Sequence, residues 1–156
     1  MKKSKTFCVG DLHGNYKGLL QVLERSRFDN EKDQLIQLGD VVDGFSESFE
    51  CVEELLKIKD LISIRGNHDD IFQIWMETGR HSFHWLSGAN NTAKSYIKHA
   101  DREISINQKM GGYVTNLTTF DIPKTHIDFF KKQINFYVDD KNRGFVHAGF
   151  SSKKGL

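Results

Sequence analysis

The sequence predicts an α/β fold with a mainly parallel sheet, because short apolar segments rich in β-forming residues alternate with segments of helical periodicity. In each of the first three strand–helix units, the apolar segment runs into a glycine-containing loop that also carries carboxylate, amide or imidazole groups. Ligands of open α/β sheets bind beyond the carboxyl ends of the strands. We therefore expect the three loops to meet in one site, within a single domain covering residues 1–156.

The first unit is a strand, a loop and a helix. Thr6–Val9 is a short apolar run that ends at Gly10, and Asn15 is placed to cap a helix that continues through Arg27. The inner face of this helix is expected to contain its aliphatic residues, Leu19, Leu20, Val22 and Leu23.

The same pattern occurs twice more. The second strand is predicted around Leu35–Leu38, and Ser46 is expected to open a helix whose inner face consists of Phe49, Val52, Leu55 and Leu56. The third strand is predicted around Leu61–Ile64, followed by a helix that carries Ile71, Phe72, Ile74 and Trp75.

The rest of the chain has weaker patterns. A helix is predicted near Asn91–His99, and residues 101–112 are expected to be weakly structured. Pro123 is expected to start a helix, because proline is favoured in the first turn. Two strands, Phe136–Val138 and Gly144–Val146, are then separated by a turn, and the second runs into His147.

Composition excludes several classes of protein. The 22 Lys and Arg residues nearly balance the 21 Asp and Glu residues, so charge favours neither a nucleic acid partner nor a membrane surface. Cys8 and Cys51 have no disulfide-type spacing and are expected to be free thiols. No apolar run approaches the length of a membrane helix, and the basic start of the chain lacks the apolar segment of a signal peptide. We expect a cytoplasmic protein.

The first loop pairs a carboxylate with an imidazole. Asp11 and His13 are two residues apart at a strand end, so their side chains project the same way and can reach one cation. The second loop adds Asp40 and Asp43, of which one could bridge two cations and the other hold a general acid. The alternative for these aspartates is an Asx turn that caps the following helix.

The third loop offers the amide of Asn67 and the imidazole of His68, and His147 ends a later strand. A lone histidine in such a place is usually structural, but four strand ends with oxygen or imidazole groups are seldom accidental. This mixed set suits Mn²⁺, Fe²⁺, Zn²⁺ or Ni²⁺. Two such ions would bind both the attacking and the leaving oxygen of an in-line displacement. The natural substrate of such a reaction is a phosphate ester.

These segments resemble a known family. Gly-Asp-x-His-Gly at 10–14, Gly-Asp-x-x-Asp at 39–43, Gly-Asn-His-Asp at 66–69 and Val-His-Ala-Gly at 146–149 are similar to the motifs of the phosphoprotein phosphatase branch of the calcineurin-like metallophosphoesterases, in particular bacterial and phage members. Trp85–Gly88 with Thr92, Ser95 and Tyr96 also resembles the segment after the third loop in those proteins. The resemblance implies a layered αββα sandwich.

The resemblance also implies roles for the site residues. Asp11 and His13 would bind the first of two divalent ions, Asp40 would bridge both, and Asn67 and His147 would bind the second. Manganese is the expected metal, with iron, zinc or nickel as alternatives. His68 would be the general acid, oriented by Asp43. Arg65 and Asn67 would contact the substrate.

Two departures from the family pattern accompany the resemblance. The family has an arginine after the second-loop aspartate, whereas Asp43 is followed by Gly44-Phe45. Family members also continue to a Gly-His-Thr motif, whereas this chain ends at Leu156. We therefore expect a domain that is truncated at its C-terminus, with an uncovered sheet edge and a tendency to form homo-oligomers.

Three functions remain open at this point. The leading interpretation is a phosphoserine or phosphothreonine protein phosphatase that acts on a phosphorylated protein or a small phosphoester. A dinucleoside polyphosphate hydrolase of the diadenosine tetraphosphate type is the alternative on the same scaffold. The chain could instead be an inactive, truncated relative that binds one metal ion or a partner protein.

Overall fold

The computed structural model of the chain describes residues 4–79, 88–109, 112–149 and 153. Within these ranges, strands and helices alternate through the first half of the chain, which confirms the predicted α/β class. Residues 85–87, which carry part of the family resemblance, lie outside the described ranges.

A three-stranded parallel sheet forms the centre of the fold. Its strands are β1 (Thr6–Val9), β2 (Gln34–Gln37) and β3 (Asp60–Ser63), arranged in the order β1-β2-β3. Val9, Gln37 and Ser63 are register partners at the carboxyl ends of these strands. The three loops that follow therefore leave the sheet at the same edge, as the sequence predicted.

Helices α1 (Tyr16–Ser26) and α2 (Ser48–Leu55) connect these strands, and α3 (Asn67–Thr78) follows β3. Helix α1 has the predicted cap: the side chain of Asn15 accepts a 2.9 Å hydrogen bond from the amide of Gly18. The predicted inner face of α1 was partly wrong, because Leu19 and Leu23 are buried whereas Leu20 and Val22 are 38% and 47% exposed. Residues four apart share a helix face, and the intervening positions point away from it.

The second half of the chain adds α4 (Ala89–Lys98), the antiparallel strands β4 (Ile106–Lys109) and β5 (Gly112–Thr115), and α5 (Lys124–Lys132). Strands β4 and β5 contradict the expectation of weak structure at 101–112. A second antiparallel pair, β6 (Phe136–Val138) and β7 (Gly144–Val146), matches the two strands predicted there. Ile134, just before β6, forms a parallel bridge with Ile64 and so places β6 and β7 near the end of β3.

The core lies between the sheet and the helices that pack on it. Helix α2 contacts α1, α4 and α5, and α3 contacts α5. The largest apolar side chains of this core are fully or almost fully buried: Leu19, Leu35, Leu55, Phe72, Trp75, Tyr96 and Phe130. Cys51 is buried and Cys8 is exposed, and both are free thiols. Among the described residues, no helix combines the length and apolar character required to cross a bilayer.

Candidate metal centre

Backbone hydrogen bonds hold the first loop against the second. The amides of Leu12 and His13 donate to the carbonyl of Asp40 over 3.0 and 2.8 Å, and the amide of Gly14 donates to Val41 over 2.8 Å. The third loop approaches equally closely, since a Cβ at Gly66 would collide with the carboxylate of Asp40. The glycine at position 66 thus allows the loops to meet.

Three of the predicted site residues have a left-handed backbone. The φ angles of His13, Asp40 and Asp43 are 47°, 55° and 66°. This conformation is unfavourable for residues with a Cβ, and it persists only where surrounding contacts impose it. The clustering of such residues in one place is typical of a functional site.

Asp40 lies at the centre of the site. Its Oδ2 is 3.7 Å from Nε2 of His13 and 3.5 Å from Nε2 of His147. Asp11 contacts the same two imidazoles at 3.9 Å, through Oδ2 to His13 and through Oδ1 to His147. Because the side chain of Asp40 is only 6% exposed, this carboxylate faces the imidazoles rather than solvent.

The imidazole tautomers follow from their backbone partners. Nδ1 of His13 lies 3.1 Å from the carbonyl of Val42, and Nδ1 of His147 lies 2.8 Å from that of Leu38. A carbonyl only accepts, so each Nδ1 carries a hydrogen and each Nε2 of the neutral ring presents a lone pair. In both rings that lone pair faces Asp40.

Metal ions fit this arrangement of lone pairs. Nε2 of His147 lies 3.0 Å from Oδ1 of Asn67, so two acceptors face each other beside the carboxylate of Asp40. Only a cation or a proton would satisfy acceptors that converge in this way. Two groups of potential ligand atoms, each within 4.8 Å, share Asp40: His13, Asp40 and His68, and Asp11, Asp40 and His147. The mixed oxygen and imidazole set suits first-row divalent metals.

His68 is oriented by a buried carboxylate. Its Nδ1 lies 2.9 Å from Oδ2 of Asp43, whose side chain is 1% exposed. Since a carboxylate only accepts hydrogen bonds, Nδ1 of His68 carries the hydrogen. The other ring nitrogen, Nε2, faces the site. The ring lies 5.1 Å from that of His13, in an edge-to-face arrangement.

Arg65 lines the same cavity as Asn67 and His147. Its Nη2 donates to the carbonyl of Gln133 over 3.3 Å, and its Nη1 is 3.6 Å from Asp70. Its buried Nε has no hydrogen-bond partner among the described residues. Together with Asn67 and His147, Arg65 lines a cavity of about 590 Å³ that opens to solvent, a volume in the usual range of ligand pockets.

Gly44 stands where the family pattern has an arginine, and Phe45 is the next side chain along the loop. Phe45 is 58% exposed and lines a second cavity, of about 310 Å³, with His13, Asp43 and His68. The structure thus places an aromatic ring, rather than a cation, beside the predicted acid.

Sequence reasoning missed the role of Asp69. This fully buried carboxylate accepts hydrogen bonds from the amides of Val41 at 2.8 Å and Gly66 at 3.2 Å, and from Nε2 of Gln133 at 2.9 Å. Burial raises the pKa of Asp69, while these hydrogen bonds favour its charged form. Its position in the first turn of α3 would have indicated a cap, but not its contact with the second loop.

Thr92 was also missed as a contact of the site, although it belonged to the segment that resembled the family. Its hydroxyl donates to Oδ1 of Asp43 over 2.6 Å. The structure brings the predicted ligands Asp11, His13, Asp40, Asn67 and His147 together with His68 and Asp43, and it places Arg65 at the adjoining cavity. The roles assigned to these residues stay predictions.

Comparison with known proteins identifies the family. The profile of the calcineurin-like phosphoesterases matches residues 4–151. The chain therefore belongs to the calcineurin-like phosphoesterase family, as the motifs predicted. A crystal structure of a candidate diadenosine tetraphosphatase superposes with a TM-score of 0.60 over 96% of this chain and 55% of that one, at 19% identity, which supports the metallophosphoesterase fold.

Two curated relatives have named activities. A symmetrical bis(5'-nucleosyl)-tetraphosphatase of Pseudomonas fluorescens is 29% identical over 146 residues, which are 92% of this chain and 42% of the relative. Serine/threonine-protein phosphatase 1 of Salmonella typhimurium is 36% identical over 63 residues, which are 40% of this chain and 29% of the relative. The chain thus spans less than half the length of these relatives.

Proposed function

We propose that this protein is a metal-dependent phosphoesterase that hydrolyses dinucleoside polyphosphates. The observation that carries the reaction class is the convergence of the imidazole Nε2 atoms of His13 and His147 on the buried carboxylate of Asp40. The substrate class is favoured by the tetraphosphatase relative, whose similarity extends over 92% of the chain. The dinucleoside polyphosphate hydrolase, which was the alternative predicted from the sequence, thus becomes the first candidate, and the protein phosphatase becomes the second.

The proposed ligand sets are those that the family resemblance implies, and they are supported by the position of Asp40 in both geometric groups of potential ligands. Asp11, His13 and Asp40 would hold one divalent ion, and Asp40, Asn67 and His147 would hold the other, with Mn²⁺ as the proposed metal. Such ions, when bound, neutralise phosphate charge and make water nucleophilic at neutral pH. The chain itself contributes rigid ligands, because hydrogen bonds to backbone carbonyls fix the ring orientations of His13 and His147.

His68 would donate the proton to the leaving oxygen. Its Nδ1 is bonded to Asp43, so the proton to be transferred resides on Nε2. The hydrogen bond to the carboxylate of Asp43 fixes the plane of the His68 ring and directs Nε2 toward the site, which is the usual way to orient a histidine as a general acid.

The substrate would occupy the cavity beside the second ligand set. Arg65 lines this cavity with a side chain that is 26% exposed and can offer its guanidinium to a phosphate oxygen. Nη1 of Arg65 lies 3.6 Å from Oδ1 of Asp70, so phosphate binding would compete with that ion pair. Phe45 offers an apolar surface at the other side of His68.

A phosphoserine or phosphothreonine phosphatase is the second candidate. It is favoured by the pairing of Asp43 with His68, because Asp43 completes the Gly-Asp-x-x-Asp pattern of the phosphoprotein phosphatase branch. The Salmonella relative supports this candidate over a shorter part of the chain.

One experiment separates the candidates. Purified chain loaded with Mn²⁺ would be assayed with diadenosine tetraphosphate, a phosphoserine peptide and p-nitrophenyl phosphate, and Asp40→Asn would serve as the inactive control. Preferential release of nucleotide from diadenosine tetraphosphate supports the first proposal, and preferential dephosphorylation of the peptide supports the second. Turnover of none of the three contradicts both proposals and favours an inactive relative that acts as a binding module.

Metal content and oligomeric state provide independent readouts. A competent site is expected to retain about two ions per chain, whereas an inactive relative would retain one or none. Light scattering would test the proposed homo-oligomer, and a monodisperse monomer would contradict it.

A further inference from the structure

We propose that Thr92 is a positioning residue, which holds Asp43 in the one orientation that directs His68 toward the leaving oxygen. This inference rests on the proposed function, since it assumes that His68 supplies a proton. It concerns a hydroxyl on α4, which lies outside all four motif segments.

Two hydrogen bonds connect Thr92 with Asp43. The hydroxyl donates to Oδ1 over 2.6 Å and accepts from the backbone amide of Asp43 over 2.9 Å. The other carboxylate oxygen, Oδ2, accepts from Nδ1 of His68 over 2.9 Å. Each oxygen of Asp43 therefore has a fixed partner, and the carboxylate cannot rotate without breaking one of these bonds.

Thr92 is completely buried, as is Asp43 apart from 1% of its surface. Water is therefore unable to replace the hydroxyl without rearrangement of the site. A charge-assisted bond of this kind in a low-dielectric environment is stronger than the same bond at the surface. Loss of the hydroxyl would leave a buried carboxylate oxygen without its short hydrogen bond.

The first turn of α4 also holds the backbone on which Asp43 stands. Asp43 and Gly44 have φ angles of 66° and 109°. Nδ2 of Asn91 donates to the carbonyl of Gly44 over 2.5 Å, and a Cβ at Gly88 would collide with the amide of Gly44. Gly88, which immediately precedes α4, and Asn91 and Thr92 of its first turn thus impose the strained conformation at Asp43.

Loss of the Thr92 hydroxyl should impair proton donation by His68 rather than substrate binding. A misdirected Asp43 would leave His68 free to rotate away from the leaving oxygen, so the loss should grow with the basicity of the leaving group. Phenyl phosphate and p-nitrophenyl phosphate differ in this property and have nearly the same shape. A purely structural role of Thr92 would lower the hydrolysis of both to the same extent.

The test compares three variants. Thr92→Val keeps the shape and removes the hydroxyl, whereas Thr92→Ser keeps the hydroxyl. Ser95→Ala is the matched control, because Ser95 is buried on the same helix and bonds the amide of Phe49 at 2.9 Å and Glu50 at 3.2 Å, away from Asp43.

We expect Thr92→Val to lower kcat for phenyl phosphate by about tenfold more than for p-nitrophenyl phosphate, as part of the rate that general acids contribute. Thr92→Ser should restore most of the loss, and Ser95→Ala should leave the ratio of the two rates unchanged. Equal losses for both substrates in Thr92→Val, or an altered ratio in Ser95→Ala, would overturn the proposal.

A second readout does not depend on activity. In protein labelled with ¹⁵N at histidine, the Nδ1 proton of His68 should give a downfield signal, assigned by its loss in His68→Gln. We expect this signal to disappear or shift in Thr92→Val and to persist in Thr92→Ser and Ser95→Ala. An unchanged signal in Thr92→Val would overturn the positioning role. If wild-type protein has no turnover, the proposed function fails and this signal alone decides the role of Thr92.

Discussion

The carboxylate of Asp69, in the first turn of α3, accepts a 2.8 Å hydrogen bond from the backbone amide of Val41 in the second loop. The same carboxylate bonds the amide of Gly66 and the side-chain amide of Gln133. One buried acid thus joins the second loop, the third loop and the end of α5. Its role is to hold the loops that carry the ligands, since it is not itself a predicted ligand.

Asp69→Asn should destabilise the fold strongly. An asparagine of the same size turns an NH₂ group toward donors that now bond a carboxylate, so at least one buried donor loses its acceptor. We expect the free energy of unfolding to fall by about 2 to 3 kcal/mol, measured by urea denaturation. Asp70→Asn is the control, because Asp70 is half exposed and should change stability little. Equal effects of the two substitutions would contradict this role.

Asp40→Asn should impair both metal sites together. Asp40 belongs to both groups of potential ligands, so a loss of its charge weakens each of them. We expect metal content, measured by plasma mass spectrometry after dialysis, to fall from about two ions per chain to fewer than one. Asp140→Asn, at an exposed turn, should leave metal content unchanged. Retention of both ions by Asp40→Asn would show that other groups bind them.

Asp43 and His68 should behave as a unit in catalysis. Loss of a general acid lowers the rate by about a hundredfold or more, so we expect His68→Gln to lose this much in kcat for phenyl phosphate. Asp43→Asn added to His68→Gln should cost little more, because Asp43 acts through His68. Additive losses in the double variant would indicate a separate function of Asp43. Single-turnover kinetics would measure the four proteins of this cycle.

His126 should make stability depend on pH. It is completely buried, donates from Nε2 to Glu53 over 2.7 Å and accepts at Nδ1 from the hydroxyl of Tyr96 over 3.0 Å. Burial lowers the pKa of His126 below its ordinary value of 6.5. As pH falls through 6.5, the unfolded chain therefore takes up a proton before the folded protein does, and stability decreases.

His126→Gln keeps polar contacts at this position but does not titrate. We expect the free energy of unfolding of this variant to fall less steeply between about pH 7 and pH 5 than that of the wild type. Thr125→Ser, at the exposed neighbouring position, should keep the wild-type slope. The same slope in His126→Gln and the wild type would mean that other groups cause the pH dependence.

Local sequence patterns predicted the elements that position the site. Strand β1 coincides with the predicted Thr6–Val9, and Asn15 caps α1 as expected. These features depend on neighbouring residues, so a single sequence contains their signals. The hairpin of β4 and β5 was missed, because Ile106–Lys109 has three polar residues in succession and lacks a regular alternation.

The contacts that hold the site could not be predicted in the same way. Thr92 reaches Asp43 across 49 residues of sequence, and Asp69 reaches Val41 across 28. Such pairs depend on how helices pack on the sheet, and neither residue has a local pattern that indicates its partner. The ligands were found because each lies within four residues of the end of a strand, whereas Thr92 lies within α4 and Asp69 within the first turn of α3.

The left-handed backbone at Asp40 and Asp43 affects how mutational experiments on this protein are designed. Asparagine and aspartate tolerate this conformation better than other residues with a side chain. Replacement by alanine would therefore add a backbone penalty of about 1 kcal/mol to the loss of the carboxylate. An alanine scan would confuse misfolding with lost chemistry at both positions, whereas asparagine keeps the size and backbone preference of aspartate while it removes the charge and replaces one acceptor oxygen with an NH₂ group.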